Sequence, residues 1–112
     1  MREHVYTCGL EAALDVIGGK WKVLILWHLQ EVRRFGELKR LTVGISEKML
    51  IQQLREMEED GIVHRQAYNE IPPKVEYSLT DFGVSLREAL VPLCGWGNKH
   101  MKRISAHKRI AS

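Results

Sequence analysis

A mainly α fold with one small β-hairpin is what this 112-residue chain predicts. Three observations carry that expectation. Residues 35–61 (FGELKRLTVGISEKMLIQQLREMEEDG) hold two short amphipathic patterns hinged on a four-residue turn. Residues 62–79 hold two β-rich runs about a proline-containing centre. Apolar residues recur at helical spacing on both sides of that block.

The elements are justified in order. Leu10, Ala13, Leu14 and Ile17 keep the core spacing of a helix until Gly18-Gly19 stops it. Lys20 to Leu29 is apolar almost all round, with Trp21, Leu24, Ile25 and Trp27, which suits a central helix covered by several neighbours. Phe35, Leu38 and Leu41, three apart, share one face of a short helix. Thr42-Val43-Gly44-Ile45 breaks the period, and Gly44 can take the positive φ of a sharp turn. Ser46 is a good N-cap for a second helix, since its hydroxyl accepts an orphan amide proton. Glu47 adds negative charge at the positive end of that helix dipole. Leu50, Leu54 and Met57 form its core stripe, and Gly61 is expected just past its C-terminus.

Helix, tight glycine-containing turn and helix make a helix-turn-helix unit, whose second helix enters a DNA major groove. With Leu50 at the centre of the buried side and about 100° per residue, Lys48, Gln52 and Arg55 point away from the core. Met49, Ile51 and Glu56 fall on the flanks. Lys, Gln and Arg fit base edges and phosphates, and Ile51 would find thymine methyls in a groove. In isolation the same residues equally suit a solvated face.

The hairpin raises the odds for DNA. Ile62 to Tyr68 is rich in β-formers, and Val75, Tyr77 and Leu79 alternate with Glu76 and Ser78, as a strand with one buried face should. Between them, Pro72 and Pro73 exclude helix. A hairpin directly after a helix-turn-helix is the wing of a winged helix. Arg65 and Lys74 would lie near the backbone of flanking DNA, with Asn69, Glu70, Ile71, Pro72 and Pro73 as the tip. The bland alternative is a two-stranded cover on the helical core.

Thr80 can cap a last helix opened by Asp81, with a stripe of Phe82, Leu86, Leu90, Leu93, Trp96 or Gly97, then Met101 and Ile104. Pro92 is expected to kink it. This helix is longer than a small domain needs to seal its core, which points to a dimer seam through Leu86, Leu90, Leu93, Trp96 and Met101. The expected plan is a single winged helix-turn-helix domain over 1–112. It divides into N-terminal helices (6–30), helix-turn-helix (35–60), wing (62–79) and dimerisation helix (81–104).

Charge and composition narrow the function. The net charge of +3 is mildly basic, permitting nucleic acid without demanding it. Arg33, Arg34, Lys39 and Arg40 cluster about the first helix of the motif. Glu56, Glu58, Glu59 and Asp60 gather at the far end of the second, as suits a helix that presents its N-terminal half to DNA. Lys99, Lys102, Arg103, Lys108 and Arg109 make a basic end. Met1-Arg2-Glu3-His4 is no secretory opening, no apolar run is long enough for a membrane, and a cytoplasmic protein is expected. The five histidines are scattered without zinc spacing, and no phosphate loop, nucleophile elbow or metalloprotease motif is present. No enzyme, cofactor or metal is expected.

The run Cys8-Gly9-Leu10-Glu11-Ala12-Ala13-Leu14-Asp15-Val16-Ile17-Gly18-Gly19-Lys20-Trp21 resembles the opening of the HxlR-type transcriptional regulators. The similarity continues through Arg34-Phe35-Gly36-Glu37-Leu38, Gly44-Ile45-Ser46-Glu47-Lys48-Met49-Leu50 and Gln53-Leu54-Arg55-Glu56-Met57-Glu58. It goes on in Pro72-Pro73-Lys74-Val75-Glu76-Tyr77-Ser78-Leu79-Thr80 and Trp96-Gly97. Each string alone is weak, but the ordered set over roughly residues 6–103 is specific. The resemblance implies a small dimeric winged-helix protein of MarR-like architecture. In that family a proline typically follows the opening cysteine, where Gly9 stands here.

The two cysteines make no disulfide framework. Cys94 lies beside the last helix's apolar stripe as a packed thiol. Cys8 sits at or just before the first helix, capped by Thr7 or Cys8 itself, where the dipole and amide donors favour a thiolate. The resemblance implies that a cysteine here senses oxidants or electrophiles. Taken together, the expected protein is a homodimer that regulates transcription by binding double-stranded DNA at a near-palindromic operator, with Cys8 as its candidate sensor. The competing reading is a winged-helix dimer used as a protein–protein interaction module without operator binding.

Overall fold

The computed structural model describes residues 4–111. Met1 to Glu3 and the side chain of Arg109, on which two of the sequence expectations drew, lie outside the described residues. Five helices and three short strands follow in the order α1 (Gly9–Ile17), α2 (Lys20–His28), β1 (Arg33–Arg34), α3 (Phe35–Leu41), α4 (Glu47–Glu59), β2 (Val63–Tyr68), β3 (Lys74–Leu79) and α5 (Asp81–Ala111). The expected fold class, mainly α with a small hairpin, is the one observed.

The core forms where α2, α3 and α4 meet. Ile25, Leu26 and Leu29 face Leu38, Ile45, Leu50, Leu54 and Met57, and Ile62, Val63 and Leu90 close the cluster. Gly44, at φ 91°, makes the α3–α4 turn, and Gly61, at φ 74°, ends α4 in the left-handed conformation that glycine adopts without steric cost. Met57's carbonyl accepts from Ile62 N at 2.9 Å, so the chain leaves the helix directly into β2.

The hairpin is part of a larger sheet. The strand order is β1-β3-β2, antiparallel throughout, with Arg65 opposite Tyr77, Tyr68 opposite Lys74, and Arg33 also paired with Tyr77. This corrects the one-sided strand expected over 75–79. As the central strand, β3 is half-buried at every residue, whichever face it presents.

Arg33 also departs from its expected place in a basic surface cluster. Its Nε donates to the His28 carbonyl at 3.0 Å, and its guanidinium pairs with Glu31 at 3.1 Å and Glu37 at 3.9 Å. It locks the α2–α3 connection. Burial, reinforced by the neighbouring Arg33 charge, lowers the pKa of His28.

Two further expectations change. The stripe on α1 is not core: none of its residues is buried, and Leu10 is 70 % exposed. The final helix runs past 104 to Ala111, with Pro92 inside it. Its stripe divides along its length. Leu90, expected at the dimer seam, is only 7 % exposed inside this chain's own core, and Leu86 packs against that core. Arg87 clasps α5 to α2, its Nε donating to the Trp27 carbonyl at 3.2 Å while the guanidinium lies 4.3 Å over the Trp27 ring.

Candidate nucleic-acid interface

The Ser46 hydroxyl accepts from Met49 N at 3.0 Å, the expected N-cap, which satisfies one free amide at the start of α4. Because Leu50, Leu54 and Met57 are buried, the same helix carries Lys48, Gln52 and Arg55 outward, all exposed. Ile51 beside them is 43 % exposed. Met49 is half-buried against the core, so its contribution outward is limited to part of the side chain. Gln53 and Glu56 are tied to the body of the protein. Gln53 Nε2 donates to Met49 Sδ at 3.4 Å and to Glu56 at 3.3 Å, and Lys22 Nζ lies 3.8 Å from Glu56.

A groove of about 550 Å³ separates α4 from the wing, lined by Phe35, Glu47, Ile51, Arg55, Glu58, Arg65, Val75 and Tyr77. Arg55 projects into it from the helix and Arg65 from β2. Among the described residues, neither guanidinium makes an ion pair. Two guanidiniums without ion pairs thus line one groove from two elements, alongside the carboxylates of Glu47 and Glu58.

Lys74 is differently engaged. Its Nζ lies 4.4 Å over the Tyr68 ring and 3.9 Å from Glu76. The neighbouring Glu76 carboxylate also raises the pKa of Tyr68. Sequence reasoning missed this clasp, although Tyr68 and Lys74 flank the five tip residues symmetrically and so face each other across the hairpin. The tip, Asn69 to Pro73, is exposed throughout, and Ile71 is 100 % exposed.

Away from the groove, Cys8 is the N-cap residue of α1 and is exposed, without a side-chain capping bond. Thr7 carries the local polar contacts instead, its Oγ1 donating to Glu11 at 2.7 Å. Tyr6 donates to Asp15, and that bond raises the tyrosine's pKa. Leu10 and Leu14 of α1 and Leu93, Trp96 and Met101 of α5 are all exposed, with Leu93 at 59 %. Cys94 is half-buried, its sulfur accepting from Asn98 Nδ2 at 3.8 Å. Among the described residues no group of three or more His, Cys, Asp or Glu side chains gathers to hold a metal, and no helix is long and apolar enough to cross a membrane.

Fold and groove together define a winged helix-turn-helix protein. A family model described as HxlR-like helix-turn-helix matches residues 16–105. The chain belongs to that family. YtcD of Bacillus subtilis (strain 168), an HTH-type transcriptional regulator, is 51 % identical over 105 residues, covering 93 % of this chain and 83 % of YtcD. The redox regulator HypR in its reduced form superposes with a TM-score of 0.82 at 44 % identity, covering 88 % of this chain and 99 % of HypR. A MarR-family regulator from Enterococcus faecalis V583 gives a TM-score of 0.75 at 41 % identity, covering 93 % of this chain and 99 % of that one. These relatives are regulators, and the chain is a DNA-binding transcription regulator rather than an enzyme.

Proposed function

We propose that the protein acts as a homodimer on a near-palindromic operator, with one α4 helix in the major groove of each half-site. The observation that carries this is the groove between α4 and the wing, with Arg55 and Arg65 facing it unpaired. Lys48 and Gln52 extend the same outward face. In this reading Gln52 contacts a base edge, Lys48, Arg55 and Arg65 hold phosphates, Ile51 and the exposed part of Met49 meet apolar base edges, and Ser46 sets the helix start against the backbone. Lys74 serves the wing through Tyr68 and Glu76 and adds positive potential next to its tip.

The dimer reading is supported by apolar surface that this chain leaves uncovered: Leu10 and Leu14 on α1, and Leu93, Trp96 and Met101 on α5. A second copy would cover it. Cys8, exposed on α1, is the candidate at which an oxidant or electrophile sets operator affinity. HypR, a redox regulator of similar fold with both reduced and oxidised forms known, supports that reading.

The decisive experiment is selection of duplexes from random DNA by the full chain, followed by affinity measured across salt. A near-palindromic consensus, bound with affinity that falls steeply as salt rises, is expected. No enriched sequence and no salt dependence would instead favour a protein–protein module.

A further inference from the structure

Two charged surfaces of opposite sign each continue a patch of uncovered apolar surface. The first is the end of α5. Leu93, Trp96, His100, Arg103, Ile104 and His107 fall three and four apart and share one face of the helix. Past Glu88 the chain holds no carboxylate side chain, while Lys99, Lys102, Arg103 and Lys108 are all exposed. Among the described residues none of these four makes an ion pair. A cleft of about 520 Å³ lies along this face, from Trp96 to Lys108.

The second surface is rich in carboxylates. Leu10 and Leu14 of α1 are exposed, and Glu11 and Asp15, next to them in the chain, are exposed as well. Tyr6, Asp15, Lys22, Glu56, Glu59 and Asp60 line one cleft of about 410 Å³, so α1 meets the C-terminal end of α4 there. Lys22 lies 3.8 Å from Glu56, and among the described residues Glu59 and Asp60 have no ion pair. Tyr6 donates to Asp15; its pKa is raised first by that bond, then by burial and by the charges of Asp15, Glu11 and Asp60. These carboxylates therefore converge on one place.

Both surfaces run from apolar to charged, and their signs are complementary. A two-fold dimer that packs α1 of one protomer on α5 of the other covers Leu10, Leu14, Leu93 and Trp96 and brings the charged ends together, twice per dimer. Resting on the homodimer reading above, we propose that the basic end of α5 docks on the acidic cleft of the second copy, at α1 and the C-terminal end of α4. A second copy matches both surfaces, whereas DNA matches only the basic one. Each α4 is then held at its acidic end by the other protomer, so its direction is set by the dimer as well as by its own core. Association through these charges weakens as salt rises.

The test is sedimentation of the full chain at low and high salt. Arg103→Glu with Lys108→Glu reverses the basic end, and Glu59→Lys with Asp60→Lys reverses the acidic cleft. All four positions are exposed, and melting curves confirm that both variants fold. Each variant should self-associate about tenfold more weakly than the wild type at low salt, with a smaller loss at high salt. An equimolar mixture of the two should recover wild-type association as a heterodimer, because every basic surface in it again meets an acidic one. Variants that dimerise as tightly as the wild type, or a mixture that recovers nothing, would overturn the docking. So would intact dimers whose one defect is weaker DNA binding, which would make DNA the occupant of the basic end. A wild-type chain that stays monomeric at every salt concentration would remove the homodimer reading itself and the docking with it.

Discussion

Gly83 of α5 lies directly against the main-chain carbonyl of Ile62, so close that a Cβ at position 83 would overlap it. The same carbonyl accepts from Thr80 N at 3.0 Å and from Thr80 Oγ1 at 3.2 Å, while Thr80 Oγ1 in turn accepts from Gly83 N at 3.0 Å. One carbonyl thus joins the start of the wing to the start of the last helix.

Gly83→Ala sets two effects against each other. Alanine favours helix by about 1 kcal/mol over glycine, but overlap with backbone has no rotamer escape and overpacking costs about 1–3 kcal/mol. The expected outcome is net destabilisation, read as a lower melting temperature. A rise would show that α5 shifts away from Ile62 at little cost.

On α4, Gln52→Ala should cost about 1–3 kcal/mol on the selected duplex and relax choice at one position per half-site. Lys48→Ala and Arg55→Ala should weaken all duplexes more evenly, each reducing the salt slope by about 1. Filter binding at several salt concentrations separates the two behaviours. Unchanged affinity and slope in all three variants would remove α4 from the groove.

Two leucines one turn apart on α5 should respond differently to charge. Leu93→Glu places a carboxylate on exposed apolar surface, so the chain should stay folded, sediment as a monomer and lose operator affinity. Leu90→Glu buries the carboxylate in the core and should lower stability itself, by several kcal/mol. A Leu93→Glu protein that remains dimeric and binds at full strength would show that the seam lies elsewhere.

Cys8 can be tested as a switch by titrating wild type and Cys8→Ser with diamide or a quinone while following operator binding. The wild type should lose affinity and the variant should not. Identical responses would make Cys8 structural and place any sensing at another group.

The reach of sequence reasoning differed from element to element for physical reasons. The α3–turn–α4 unit was legible because its signals are local: a three-and-four spacing, a glycine at the turn and a serine cap. The two-residue β1 was not, because its strand character comes from pairing with Tyr77 and Glu76, more than forty positions away. Periodicity identified an apolar face on α1 but could not say what covers it, and Leu10 proves exposed within one chain. Likewise Leu90 and Leu93 share a stripe in sequence, yet only the first reaches the core. At the candidate interface, the outward set on α4 followed from helix geometry alone. The unpaired state of Arg55 and Arg65, and the engagement of Lys74 with Tyr68, depended on how the hairpin packs.

The clasp of Arg87 on Trp27 has a mechanical meaning. It fixes α5 to α2 near the start of the long helix, and the chain then runs on through 24 further residues, about 36 Å at 1.5 Å per residue. Such a rod is a lever with its pivot at one end. A tilt of about 5° at the pivot displaces the far end by about 3 Å, comparable to the rise of one DNA base pair. In the proposed dimer, a disturbance too small to alter the fold at Trp27 would still be large enough to put the two halves of the assembly out of step with their sites.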